Sequence, residues 1–382
     1  MRFNVSAVLA AGLALSFASP AWALPTKAEG ADRSKSDAHG KAGLVDWAAP
    51  PVQVAAVPVP VVIAAKPAAK PAPKAAPKPA AKPVFVPHPT VAHLRSTEVL
   101  GVENVSPAVD FVPVLPGERV PLRAISANGK PVAATWRSNG GTLAFGDHMA
   151  VWQAPLEPGV MHVTGYGLVN GRTVRRNLTM VVIIPGAKVT GGKLNGYPIG
   201  IYPKGYGTTV AGQVANRGTR DAYEVPPGFV ELTAANVNMP VSEHYKLGDF
   251  AGKDNWVGGH KYLMVQPRVV EKLERIIMTL HAEGYPCGKL ELMSAYRSPF
   301  LNEDIGNTTT LSRHTYGDAV DMLVPDLNKD GKSDKADAGI MMAAITKLDK
   351  AGILTGGGSI YAPNGAHGFF IHTDTRGALV RW

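Results

Sequence analysis

Ser312-Arg313-His314-Thr315-Tyr316-Gly317-Asp318-Ala319-Val320-Asp321-Met322-Leu323-Val324 decides how the C-terminal part of this chain is read. From Asp318 to Val324 the run is short and mostly apolar, as expected of a buried strand. Side chains alternate faces along a strand. Asp321 therefore falls among apolar neighbours, which is costly for a carboxylate that is neither paired nor bound to a metal. His314 precedes the strand in a loop where Gly317 permits a turn. A second strand-like run, Phe369-Phe370-Ile371-His372, ends in another histidine. Two strands and a loop can thus converge on one ion. A catalytic zinc takes three protein ligands and keeps a fourth position for water, and His314, Asp321 and His372 suit that role.

A His and an Asp at this spacing carry little information alone. The specificity lies in their combination with Ser294-Ala295-Tyr296-Arg297-Ser298-Pro299 upstream and Gly368-Phe369-Phe370-Ile371-His372-Thr373-Asp374 downstream. Together these segments resemble the zinc peptidases of the D-alanyl-D-alanine carboxypeptidase and murein endopeptidase group. The pattern of that group is Ser-x-Tyr-Arg, then Ser-x-His-x-x-Gly-x-Ala-x-Asp, then a late aromatic-rich strand ending in a ligand His. The chain matches the middle pattern at every fixed position, and the resemblance covers roughly residues 241–382. It implies an α+β zinc peptidase domain with a small antiparallel sheet, Zn2+ on His314, Asp321 and His372, and peptidoglycan stem peptides or cross-links as substrate. It also assigns Arg297 to holding the substrate carbonyl or carboxylate. A fixed guanidinium stabilises developing negative charge in a water-poor site.

The proton acceptor departs from the group's pattern. Many members carry Glu or Asp three residues before the last ligand, where this chain has Phe369. Asp374, two residues after His372 and on the same face by strand alternation, is the first choice as base or as orienter of the zinc water. His367 is the second. Asp374 equally suits a partner that holds the His372 ring. The ending Ile371-His372-Thr373-Asp374-Thr375-Arg376-Gly377, closing on Trp382, resembles the murein endopeptidase branch. It tips the expectation towards endopeptidase action without excluding a carboxypeptidase. The acid missing at Phe369 supports an alternative, a non-catalytic cell-wall-binding protein with a degenerate peptidase fold. The family motifs disfavour a hydrolase of some other exported polymer.

Asp326-Leu327-Asn328-Lys329-Asp330-Gly331-Lys332-Ser333-Asp334-Lys335-Ala336-Asp337 fits the twelve-residue calcium loop. Asp326, Asn328, Asp330, Asp334 and Asp337 place oxygen at positions 1, 3, 5, 9 and 12, Lys332 stands at position 7, and Gly331 takes the sixth. Position 12 is Asp rather than Glu, as in dockerin-type loops. The expected role of Ca2+ is structural.

The N-terminus reads as a secretory signal over residues 1–23. Arg2 is followed by an apolar stretch from Val8 to Phe17 and a small-x-small site, Ala21-Trp22-Ala23. An uncleaved anchor is the alternative. The expected location is the periplasm or cell envelope. One cysteine, Cys287, rules out an internal disulfide, so the fold rests on its core. The formal charge of +9 is partly local. Lys66, Lys70, Lys74, Lys78 and Lys82 share an Ala/Pro/Lys tract that cannot build a core. Residues 24–95 therefore read as a disordered linker, extended at ~3.1 Å per residue where polyproline-like. Its lysines suit an anionic envelope surface. Export and the absence of a base-reading motif disfavour nucleic acid.

Residues 96–186 carry short β-type runs at Ala108–Leu115, Arg119–Ile125, Ala133–Trp136, Ala150–Gln153, Met161–Tyr166 and Thr173–Ile184. Asn128-Gly129 and Asn170-Gly171 are hairpin-turn pairs. The expectation is an immunoglobulin-like β-sandwich with Trp136 and Trp152 in its core, or, less simply, stacking on carbohydrate. Residues 187–240 read as a connector packing on the peptidase. In residues 241–382 a helix is expected over about Gln266–Glu283, a strand at Lys289–Met293 and a second helix over about Asp337–Ala351.

Overall fold

Asn170 and Gly171 both take positive φ, 50° and 78°, the pair of left-handed residues a type I′ turn demands. They join two long antiparallel strands, Gly159–Val169 and Arg172–Val182. In the computed structural model, which describes residues 100–146, 149–202, 223–307 and 311–382, these strands form the middle of a four-stranded sheet. Ala134–Ser138 flanks them on one side and Phe111–Val114, running parallel to its neighbour, on the other. A three-stranded sheet of Arg119–Leu122, Ala150–Gln153 and Thr142–Phe145 supplies a second layer. Trp136, Trp152, Val163, Leu178 and Leu122 from both sheets share one buried cluster. The Trp152 indole donates to the Gly140 carbonyl at 2.8 Å, so this buried ring has its polar partner. The expected signal peptide at residues 1–23 and the linker at 24–95 lie outside the described residues.

The β-layers and the C-terminal part meet in a common core. Val109, Phe111, Val181 and Ile183 pack in the same buried cluster as Leu273 and Ile277. Leu194, Tyr197, Ile199, Phe229 and Val230 join it from the stretch read as a connector. There, Ile184–Pro185, Gly228–Glu231 and Tyr262–Leu263 form a three-stranded sheet. The middle of that stretch, residues 203–222, lies outside the described residues.

The first long helix spans Pro267–Ala282 with Pro267 in its first turn, and buries Val269, Val270, Leu273, Ile276, Ile277 and Leu280. The second spans Lys335–Lys350. Beside them lies a five-stranded sheet in the order Leu292–Ser294, Ala319–Leu323, Phe370–Asp374, Gly357–Tyr361, Val380–Arg381, antiparallel except for the last pair. Alternation sorts its faces. Val320, Met322 and Ile371 enter the core with the helices. Asp321 and His372, which stand directly opposite each other across the strand pair, share the other face. The described residues are thus mixed α and β, mostly strand, with no barrel.

Candidate metal centre

His314 sits in a single 3-10 turn, Arg313–Tyr316, which ends at Gly317 in the left-handed region with φ 69°. A Cβ on Gly317 would approach the Met264 carbonyl oxygen to 2.5 Å, so only glycine lets the chain turn there. The turn points His314 at the Asp321 and His372 pair. His314 Nε2 lies 3.2 Å from Asp321 Oδ1 and 3.3 Å from His372 Nδ1, and the latter two atoms are 2.9 Å apart. Among the described residues this is the one group of three or more His, Cys, Asp or Glu side chains close enough to share an ion. All three are buried.

The surroundings fix which atoms face inward. His314 Nδ1–H donates to the Ala295 carbonyl at 2.6 Å, which leaves the Nε2 lone pair for the centre. His372 Nε2–H donates to Asp374 Oδ2 at 3.2 Å, which leaves Nδ1. Asp321 offers Oδ1, because Oδ2 accepts from Arg297 Nη2 at 2.7 Å. Arg297 is steadied in turn by Ser294 Oγ at 2.8 Å. Two imidazole nitrogens and one carboxylate oxygen within 3.3 Å of one another form a donor set that fits zinc. Bonds of about 2.0–2.2 Å spread tetrahedrally would hold such atoms roughly that far apart.

Asp374 is committed elsewhere than the centre. It is fully buried and lies across the His372 ring from Nδ1. Its oxygens accept from Arg376 Nε, at 2.9 Å to both, and from Gly357 N at 2.8 Å. Gly357 is required there, since a Cβ would lie 2.5 Å from Asp374 Oδ2. This arrangement favours the ring-holding role over that of base. His367 is half-buried and donates Nδ1–H to the Gly368 carbonyl. Its ring stands edge-on to Phe370, with centroids 4.8 Å apart. Phe370 lines a cleft of about 620 Å³ that also contains Arg297, His314, Asp321 and His372. Phe369 packs against the core.

Several supporting residues were not singled out from the sequence. Arg376 grips Asp374 behind the His372 ring, a role that its place in the sequence does not mark. Lys272, wholly buried, bonds Asp349 Oδ1 at 2.9 Å and the Asp374 carbonyl at 2.8 Å. Asp349 also holds Arg381 at 2.5 Å. Lys272 and Asp349 sit three or four residues from apolar members of their helices, so charged residues in phase with an apolar stripe were the available signal.

The electrostatics follow from burial and pairing. Burial pulls the His314 pKa below its ordinary value, outweighing Asp321. Burial also opposes charge on His372, but the hydrogen bonds its ring donates to the Asp321 and Asp374 carboxylates prevail and raise its pKa to about 9. Burial pushes the Asp321 carboxyl up, yet the two histidines hold it far below the usual carboxylate range. In the metal-free protein the His372 contribution is complete below the unfolded value, about 6.5. It is lost as pH rises through about 9. The Asp321 contribution runs the other way, present above the unfolded carboxylate value and lost as pH falls through its depressed one. Chelator-treated protein should therefore lose stability between pH ~6.5 and ~9, read as a falling denaturation midpoint. A flat midpoint across that range would contradict the pairing.

The Asp326–Asp337 loop is organised by its own amides. Asp326 accepts from Asp330 N and Gly331 N, and Asp330 from Lys332 N. Asp334 caps the second helix and Asp337 completes its capping box. Asp337 also accepts from Leu327 N and Asn328 N. No three of the loop's carboxylates come together closely enough to share an ion. The calcium expectation thus rests on the sequence pattern alone. Asp337→Ala should lower stability by about 1–2 kcal/mol in chelator as well as in calcium, measured by denaturant titration. A loss seen only with calcium present would make the ion the loop's support.

The chain matches no family model, no curated protein and no solved structure.

Proposed function

We propose that this protein is an exported zinc-dependent peptidase that cleaves peptidoglycan stem peptides or cross-links. The observation that carries the reading is the convergence of His314 Nε2, Asp321 Oδ1 and His372 Nδ1 within 3.3 Å of one another on the floor of a cleft that Arg297 lines. A zinc ion held by these atoms would supply Lewis-acid polarisation of the scissile carbonyl and a water acidified towards neutral pH.

The chain's own groups do the rest. Arg297 keeps Asp321 aimed and brings positive charge to where a carbonyl oxygen gains electrons. Asp374 holds the proton on His372 Nε2, so Nδ1 stays a donor to the centre. Accepting the proton of the attacking water falls to Asp374 or His367. Asp374 is engaged by His372, Arg376 and Gly357. His367, with no hydrogen bond at Nε2 among the described residues, is the freer group. The test is digestion of peptidoglycan fragments by zinc-loaded protein with products identified by mass spectrometry. Cleaved cross-links mark an endopeptidase and released D-alanine a carboxypeptidase. Intact fragments would favour the non-catalytic wall-binding alternative that Phe369 suggests.

A further inference from the structure

We infer that the open outer face of the four-stranded sheet binds a linear acidic polysaccharide. Arg137 and Arg175 would grip its carboxylates, and Tyr166 would seat a sugar ring. This surface shares no described residue with the cleft, and the inference does not depend on the peptidase reading. Alternation divides the sheet into two faces. Trp136, Val163, Leu178 and Met180 point inward to the sandwich core. At one end of the outer face, Phe111 and Val181 are covered by the C-terminal part. The other end is open. Arg137, Arg175 and Asn177 are exposed there, and Thr164 and Tyr166 are half-buried.

Strand register arranges these five residues as a grid. Arg175 stands opposite Tyr166, and Thr164 stands between Arg137 and Asn177. The Arg137 guanidinium carbon leans to 5.9 Å from the Tyr166 ring centroid. Thr164 Oγ1 donates to Asn177 Oδ1 at 3.1 Å, which leaves the Asn177 amide hydrogens for a ligand. The four strands of the sheet contain no aspartate or glutamate. Neither Arg137 nor Arg175 meets a carboxylate among the described residues. The open face therefore offers charged and neutral donors and no anion, and a surface of one sign draws ligands of the other. Guanidinium forks match carboxylates. Neighbouring strands lie about 4.8 Å apart. Arg137 and Arg175, two strands apart and offset along them, therefore hold separate anionic groups, which calls for a polymer. Tyr166 between them selects a sugar, whose ring C–H groups carry the partial positive charge that an aromatic face attracts.

The experiment uses the full-length protein at physiological ionic strength, where loose surface attraction is screened. Calorimetry compares oligogalacturonate, poly-glutamate of the same length and neutral dextran. Oligogalacturonate should bind about 10-fold or more tightly than either of the others. Combining Arg137→Gln with Arg175→Gln should weaken that binding by about 10–100-fold. Tyr166→Ser should weaken oligogalacturonate and leave poly-glutamate as it was. These positions are on the sheet surface, so circular dichroism and the denaturation midpoint should stay near those of the parent. The comparison of probes on unaltered protein stands even if a variant folds poorly. Full binding by the folded double arginine variant would assign the polyanion to another surface, such as the lysine tract, and overturn the proposal. Equal binding of poly-glutamate, anionic phospholipid vesicles or duplex DNA would overturn it too, as would no binding of oligogalacturonate.

Discussion

His372→Ala should lose both its metal and its activity. The imidazole contributes one of three converging donor atoms, and its removal leaves His314 and Asp321 with an open side where the ring stood. Two ligands hold zinc far more weakly than three. The Asp321 carboxylate also loses one of the two histidines that offset its burial. Metal content by elemental analysis should fall from one equivalent to background, and hydrolysis should fall with it. His314→Ala should behave alike. Stoichiometric zinc in either variant would refute the ligand set.

Asp374→Asn tests the support behind the centre. The buried Asp374 carboxylate sets the proton on His372 Nε2 and is itself gripped by Arg376. An asparagine keeps the size but loses the charge. Removing a partner of this kind weakens metal binding by roughly 10–100-fold, and competition with a chromophoric chelator reads that change. His367→Ala should leave metal affinity unaltered, because its ring is not among the donors. A fall in turnover of about a hundredfold or more in that variant, with metal retained, would make His367 the proton acceptor. Should Asp374→Asn lose turnover at full metal affinity, Asp374 is the acceptor and not the holder of the ring.

Much of the C-terminal arrangement was legible because its signals are local. The alternation of Val320, Asp321 and Met322 sends the carboxylate to one face and the apolar pair to the other. The stripe from Val269 to Leu280 sets the helix within a residue at each end. The second helix begins earlier than expected, at Lys335, because Asp334 is its cap and Asp337 its capping partner rather than the last member of a loop. The strand feeding Arg297 lies later than expected, at Leu292–Ser294, where it can pair with the Asp321 strand. The pairing of Lys272 with Asp349 depends on contact between distant segments, so each helix marks its own charged residue but not its partner. The same holds for the Ala295 carbonyl, since a backbone acceptor leaves no trace in residue type.

Titration of zinc into stripped protein, with bound metal and hydrolysis of a peptidoglycan-derived peptide followed on the same sample, tests the central claim most directly. The expected result is that both saturate together at one equivalent and that both vanish in His372→Ala. Hydrolysis that persists without zinc, or one tightly bound zinc with no hydrolysis of any wall peptide, would contradict it.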